Sequence, residues 1–209
     1  MFTVLLVCTG NICRSALAER LGRAYLDEVM LDDSHLVRLS SAGVHAVVDS
    51  AMHPFSALVL RGLGGDSEGF RARQFVGDMA AQADLTLTMT RRHRREVLES
   101  APRSFARTFT LREAADLARL VEKGPRIGGD GLAERAHRYV RELAAARSRR
   151  KSGVEDDIRD PIGLSLQVHE EVGEEIAVAL LGVLGGIAAL RADAVPSRGR
   201  RALTSARRT

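Results

Sequence analysis

Residues 2–21, FTVLLVCTGNICRSALAERL, decide how this chain folds. Residues 2–7 are apolar apart from Thr3 and do not alternate, the pattern of a short strand buried on both faces. The run stops at Cys8, and the small polar stretch Thr9-Gly10-Asn11 follows. From Ser15, which is suited to cap it, a helix begins with Leu17, Leu21, Ala24 and Tyr25 on one side. A loop between a strand and a helix sits at the carboxyl end of one and the N-terminus of the other. In an open parallel sheet, ligands bind there, where the strand order reverses.

The residues of this loop suit an anion. Backbone N–H groups from Thr9 through Ile12 and Cys13 to Arg14 are able to curl around one, and the helix dipole adds attraction. Gly10 permits a close backbone approach or a positive φ, and the Asn11 amide is placed to tie the loop together. Arg14 offers a planar fork for two phosphate oxygens. An arginine and a helix N-terminus also favour the thiolate form of a cysteine beside them, and Ser15 is within reach of that sulfur. The loop reads as an anion cradle with the nucleophile Cys8 at its floor. Taken singly, a cysteine after a buried strand is usually an inert small hydrophobe. An arginine after a loop is usually a surface charge. The Cys-x5-Arg-Ser spacing between strand and helix outweighs both readings. Two cysteines alone do not make a structural zinc site, which takes about four ligands, and the Gly-Lys-Ser/Thr ending of a nucleotide P-loop is missing.

Working outward, LVRLSSAG, ADLTLTMT and RTFTL read as three further strands. Helices fill the intervals: from His53-Pro54 to about Leu60, FVGDMAAQ, RRHRREVLES up to Pro102, and REAADLARLV. Alternating strands and helices imply parallel pairing, right-handed crossovers and a doubly wound α/β sheet. A last helix runs from Leu166 to about Leu190. Between them, residues 122–153 change character and read as an insertion, most simply a solvated surface excursion. The expected organisation is one domain over 1–192, followed by a disordered basic tail at 193–209.

Composition sets the class. The chain has 209 residues, 45% hydrophobic and 28% charged, enough for one globular domain with a real core. Only two cysteines are present, both in the opening loop, which suits a reducing compartment and a cytoplasmic location. The opening apolar run is too short for a signal peptide, and IAVALLGVLGGIAAL falls below spanning length, so no membrane partner is expected. Residues 191–209 carry six arginines without interleaved aromatics, so no nucleic-acid platform is expected either.

VCTGNICRS resembles the phosphate-binding loop of the low-molecular-weight protein tyrosine phosphatases. The likeness continues in SSAGVHA, in RAR at 71–73, in ADLTLTMT and in DPIGLS. The resemblance implies a flavodoxin-like sheet of strand order 2-1-3-4 and a cysteinyl-phosphate mechanism without metal or cofactor. It implies Cys8 as nucleophile, Arg14 as phosphate clamp and Asp160 as general acid and base. It implies substrate contacts from Thr9, Gly10, Asn11, Ile12, Cys13 and Ser15, and a phosphorylated protein as partner. Asp156 and Asp157 are rivals for the acid; Asp160 is preferred because Pro161 fixes the backbone after it. Cys13 offers a local disulfide that would protect Cys8 from over-oxidation.

Three branches share this scaffold. Thioredoxin-coupled arsenate reductases need further cysteines downstream, and none follows Cys13. Protein-arginine phosphatases resemble the chain in DPIGLS but carry Thr where this sequence has Ile12, whose apolar side chain favours an aryl ring. Tyrosine phosphatase is therefore the primary expectation and arginine phosphatase the alternative. A phosphate-binding or redox-sensing module without turnover is the reading from another class. With no Trp in the chain, the pocket walls fall to Ile162 and to His45 and Val48 of VHAVVDS.

Overall fold

A computed structural model describes residues 1–124, 127–151 and 154–191; the expected tail at 193–209 lies outside the described residues. Four strands form one parallel sheet: β1 (Phe2–Cys8), β2 (Val37–Gly43), β3 (Leu85–Thr88) and β4 (Thr108–Thr110), in the order β2-β1-β3-β4. Among the described residues seven α-helices follow the expected alternation: α1 (Arg14–Met30), α2 (Pro54–Gly62), α3 (Gly77–Gln82), α4 (Arg91–Ser100), α5 (Leu111–Val121), α6 (Leu132–Ala146) and α7 (Leu166–Ala189). The strand order reverses at β1. Val7 pairs with Ala42 on one side and Thr88 on the other, so Cys8 leaves the sheet at its centre.

Alternation along β1 divides the interior. Phe2, Val4, Leu6 and Cys8 face a large core built with α1, α2, α5, α6 and α7. Leu5 and Val7 face a smaller one closed by α3 and α4. Each fully buried Leu or Phe in these layers contributes on the order of 1.5–3 kcal/mol. The helix ends follow local chemistry. Pro54 opens α2, Thr90 accepts the His93 N–H at the start of α4, and Thr110 with Glu113 forms a capping box on α5.

Three expectations change. Helix α1 starts at Arg14 with Cys13 as its N-cap residue and no side-chain cap, because the Ser15 hydroxyl is turned to other partners. The 122–153 stretch is not simply a solvated excursion. Helix α6 sends Leu132, Ala136, Tyr139, Val140 and Leu143 into the main core, its charges lying on the opposite face. The Tyr139 ring packs so tightly on Gly186 of α7 that a Cβ there would come within 2.4 Å of the phenolic oxygen. The last apolar run, read alone as below spanning length, lies in the helix expected from Leu166, whose full length changes that reading. Among the described residues α7 is the one helix long and apolar enough, by length and composition, to cross a membrane. Val172, Ile176, Leu180, Val183 and Leu184 of that helix are buried in the core, against α1, α2 and α5.

Candidate active site

The loop from Cys8 to Ser15 is held from outside by its carbonyls. Those of Cys8, Thr9 and Gly10 accept from the N–H groups of Val44, His45 and Val47 at 2.9, 2.9 and 3.0 Å. Ile12 and Cys13 carbonyls accept from His53 at 2.8 Å and Leu17 at 2.9 Å. None of the backbone N–H groups of residues 9–14 meets a protein acceptor among the described residues. Carbonyls tied outward and N–H groups left unused make a cradle for an anion. Gly43 lies directly behind it. A Cβ on that residue would come within 2.4 Å of the Thr9 carbonyl oxygen and 2.9 Å of the Asn11 nitrogen.

Asn11 is the internal tie expected of it. Fully buried, it donates through Nδ2 to the hydroxyls of Ser15 and Ser41 at 2.9 and 2.8 Å. Its Oδ1 accepts the Arg73 N–H at 2.8 Å, which gives the RAR stretch a structural purpose. The positive φ of the loop, 54°, falls on Asn11 rather than Gly10. An asparagine tolerates that conformation because its short side chain bonds locally. Cys8 Sγ lies 2.9 Å from Ser15 Oγ. Ser15 accepts from Asn11, and its own proton has two acceptors in reach, the Cys8 sulfur and the Ala42 carbonyl at 3.4 Å.

Arg14, with its side chain 4% exposed, is fixed by Nη1 donating to the Ile158 carbonyl at 3.1 Å. Its Nη2 reaches the Thr9 hydroxyl at 3.3 Å and pairs with the carboxylate of Asp160. Its Nε is buried without a protein partner among the described residues. Asp160 is 40% exposed at the rim, and its Oδ1 accepts the Ile162 N–H at 3.2 Å. The rival carboxylates are engaged elsewhere. Asp157 accepts the Arg91 N–H at the start of α4, and Asp156 pairs with Arg150.

Cys8, Thr9, Gly10, Ile12, Cys13, Arg14 and Asp160 line one cavity of about 210 Å³, with His45, Val47 and Ile162 as its walls. The apolar wall of the 44–50 loop is thus Val47 rather than Val48.

One residue escaped the sequence analysis. His93 bridges two threonines, Nε2 to Thr9 Oγ at 2.9 Å and Nδ1 to Thr90 Oγ at 2.9 Å. Burial, reinforced by the Arg14 charge, pushes its pKa down to about 4, so it is neutral at pH 7. It sat within the basic run RRHRREV, with nothing local to mark it. Only the packing of α4 beside the loop joins two residues 84 positions apart.

The chain has documented likenesses. A family model described as low molecular weight phosphotyrosine protein phosphatase matches residues 3–121. The low molecular weight protein-tyrosine-phosphatase Etp of Escherichia coli (strain K12) is 37% identical over 107 residues, covering 51% of this chain and 67% of Etp. Among solved structures, the low molecular weight protein tyrosine phosphatase from T. tengcongensis matches with a TM-score of 0.63 at 25% identity, over 88% of this chain and 99% of that one. The YwlE arginine phosphatase from Geobacillus stearothermophilus matches with a TM-score of 0.61 at 25% identity, over 88% and 92% of the two chains. The family match contains the whole loop, Gly43 and His93, and ends before Asp160.

Proposed function

The chain belongs to the low molecular weight phosphotyrosine protein phosphatase family, and from that premise we propose how its residues divide the hydrolysis of a phosphotyrosine-type monoester. The observation that carries the assignment is the ring of unused N–H groups at residues 9–14 around the Cys8 sulfur, closed by Arg14. Cys8 attacks the phosphorus while the N–H groups and the Arg14 guanidinium hold the three equatorial oxygens, where the transition state carries its charge. Ser15 donates to the sulfur and Asn11 keeps the loop in shape. Asp160 protonates the departing oxygen, then removes a proton from the water that attacks the cysteinyl-phosphate. The sulfur leaves as thiolate, and inorganic phosphate is released. Neither metal nor cofactor enters these steps. The thiol must stay reduced, so a cytoplasmic setting and a phosphorylated protein substrate are part of the same reading. We further read 1–192 as one phosphatase domain in which 122–153 is an insertion.

The apolar sides of the cavity, Ile12, Val47 and Ile162, suit an aryl ring. A second reading, dephosphorylation of arginine, is favoured by DPIGLS, which puts Ile162 where an aromatic residue would flank a tyrosyl ring. The first experiment is hydrolysis of a chromogenic aryl phosphate in excess chelator. Turnover under those conditions is expected, and its absence would sink the mechanism. Phosphotyrosine and phosphoarginine peptides assayed side by side then decide the branch, with the phosphotyrosine peptide expected to be preferred.

A further inference from the structure

The far side of the loop carries a group of side chains that phosphoryl transfer does not use. Cys13, at the edge of the cavity that holds Cys8, also meets His53, the residue before Pro54, and His169 in the first turn of α7. The thiol and one nitrogen from each imidazole all lie within 4.8 Å of one another. The two rings stack, centroids 4.7 Å apart and 13° from parallel. Each histidine has a buried nitrogen with no hydrogen-bond partner among the described residues, Nδ1 of His53 and Nε2 of His169. His169 itself is only 1% exposed. Two orphaned imidazole nitrogens beside a thiol are costly as mere core packing, because buried polar atoms are normally satisfied.

We propose that Cys13, His53 and His169 form a binding site for a borderline-soft divalent cation of the zinc class, set directly behind the phosphate-binding loop. One thiolate and two imidazoles are the donor set such ions take, three protein ligands leaving a fourth position for water. Tetrahedral zinc, with Zn–S of about 2.3 Å and Zn–N of about 2.0–2.1 Å, implies donor separations of roughly 3.3–3.6 Å. Binding therefore draws the three atoms closer than the 4.8 Å within which they lie and unstacks the two rings, whose in-plane lone pairs do not converge while they are 13° from parallel. The orientation of His169 is already set: its Nδ1 lies 3.0 Å from Ser56 Oγ. In the tautomer that donates Nδ1–H to that hydroxyl, the Nε2 lone pair is left for the metal, the arrangement by which outer partners fix a ligating histidine. Burial lowers the His169 pKa, keeping the ring neutral. Burial also pushes the Cys13 thiol up to about 11, so metal binding releases the S–H proton to solvent as the cation takes the sulfur. The sequence counted cysteines and stopped at two; the fold supplies the histidines, 40 and 156 positions further along. The site goes beyond the phosphatase reading, and its test does not use turnover.

The experiment is titration of the full-length chain with Zn²⁺ by calorimetry and with Co²⁺ by absorption, in parallel. One ion should bind per chain, with a thiolate-to-cobalt charge-transfer band and release of one proton. Losing a ligand should weaken binding more than losing an outer partner, which costs about 10–100-fold. His53→Gln and His169→Gln should therefore each weaken Zn²⁺ by more than ~100-fold and remove the band, and Ser56→Ala should fall within the 10–100-fold range. Cys8→Ser should keep both the stoichiometry and the band. His53 is partly exposed, so its variant decides the matter if His169→Gln does not fold. A band that survives His53→Gln, or that vanishes with Cys8→Ser and persists in Cys13→Ser, would overturn the proposal.

Discussion

The loop from Cys8 to Ser15 has two faces, and they are built on opposite terms. On the front, the polar side chains, Arg14 Nε apart, have partners: Cys8 with Ser15, Ser15 with Asn11, Arg14 with Ile158 and Asp160, Thr9 with His93. The free donors there belong to the backbone and point at one small volume. On the back, the backbone is satisfied and the side chains are not. His93 and His169 make the contrast within one residue type. Both are buried with lowered pKa values, yet His93 bonds through both nitrogens and His169 through one. A front arranged this way is ready for an oxyanion. A back arranged this way is ready for a cation.

The sharpest break in that contrast comes from Cys8→Ser. It removes the nucleophile and leaves the cradle intact, so turnover should fall by more than about 10⁴-fold while phosphate or vanadate still binds. Binding lost together with turnover would mean that the cradle depends on the sulfur. Asp160→Asn comes next. General acid assistance is worth on the order of 10²–10⁴-fold, and a tyrosyl oxygen needs it more than a nitrophenolate does. Single-turnover phosphorylation of the enzyme should slow far more with phosphotyrosine than with nitrophenyl phosphate. The same leaving-group dependence in Asp157→Asn instead would move the acid to that residue.

Gly43→Ala pushes on the cradle from behind, since its methyl would overlap the Thr9 carbonyl. A displacement of that kind costs on the order of a hundredfold in kcat, with the fold retained by circular dichroism. If kcat is unchanged, the loop is softer than its carbonyl bonds imply.

His93 gives the pH signature of the front face. Its folded pKa of about 4 lies below the 6.5 of an unconstrained histidine. The unfolded chain therefore binds the extra proton first as pH falls. The stability this group contributes is complete above about pH 6.5 and is lost as pH drops towards 4, on the order of 3 kcal/mol in all. Urea unfolding across that window should show a shallower loss for His93→Gln than for the parent chain. Equal slopes would place the titration elsewhere. The smallest effect is expected from Ile12→Thr, which replaces an apolar wall with a polar one. It should shift the ratio of phosphotyrosine to phosphoarginine activity by several-fold towards phosphoarginine, about what a methylene-scale change in a pocket is worth. An unchanged ratio would remove Ile12 from the specificity wall.

The sequence by itself determined the alternation of strands and helices, the place of the site and its contiguous chemistry, while the strand order came through resemblance. An apolar run of period-free pattern ending in Cys-x5-Arg has few ways to fold, and the residues that form the cradle are neighbours along the chain. Asp160 was legible through resemblance, not through local physics, since an Asp-Pro by itself is an ordinary turn. What only the tertiary structure decided is what arrives from a distance. Arg73 reaches Asn11, Gly43 backs the loop, and His93 supports Thr9, each across tens of residues. The charged helix α6 likewise proved to be core, because its apolar stripe is hidden among arginines and glutamates when read linearly. His53 and His169 meet Cys13 for the same reason. Side-chain patterns along a chain encode which face is buried, while the pairing of distant polar groups is fixed only when helices α2, α4 and α7 are packed against the sheet.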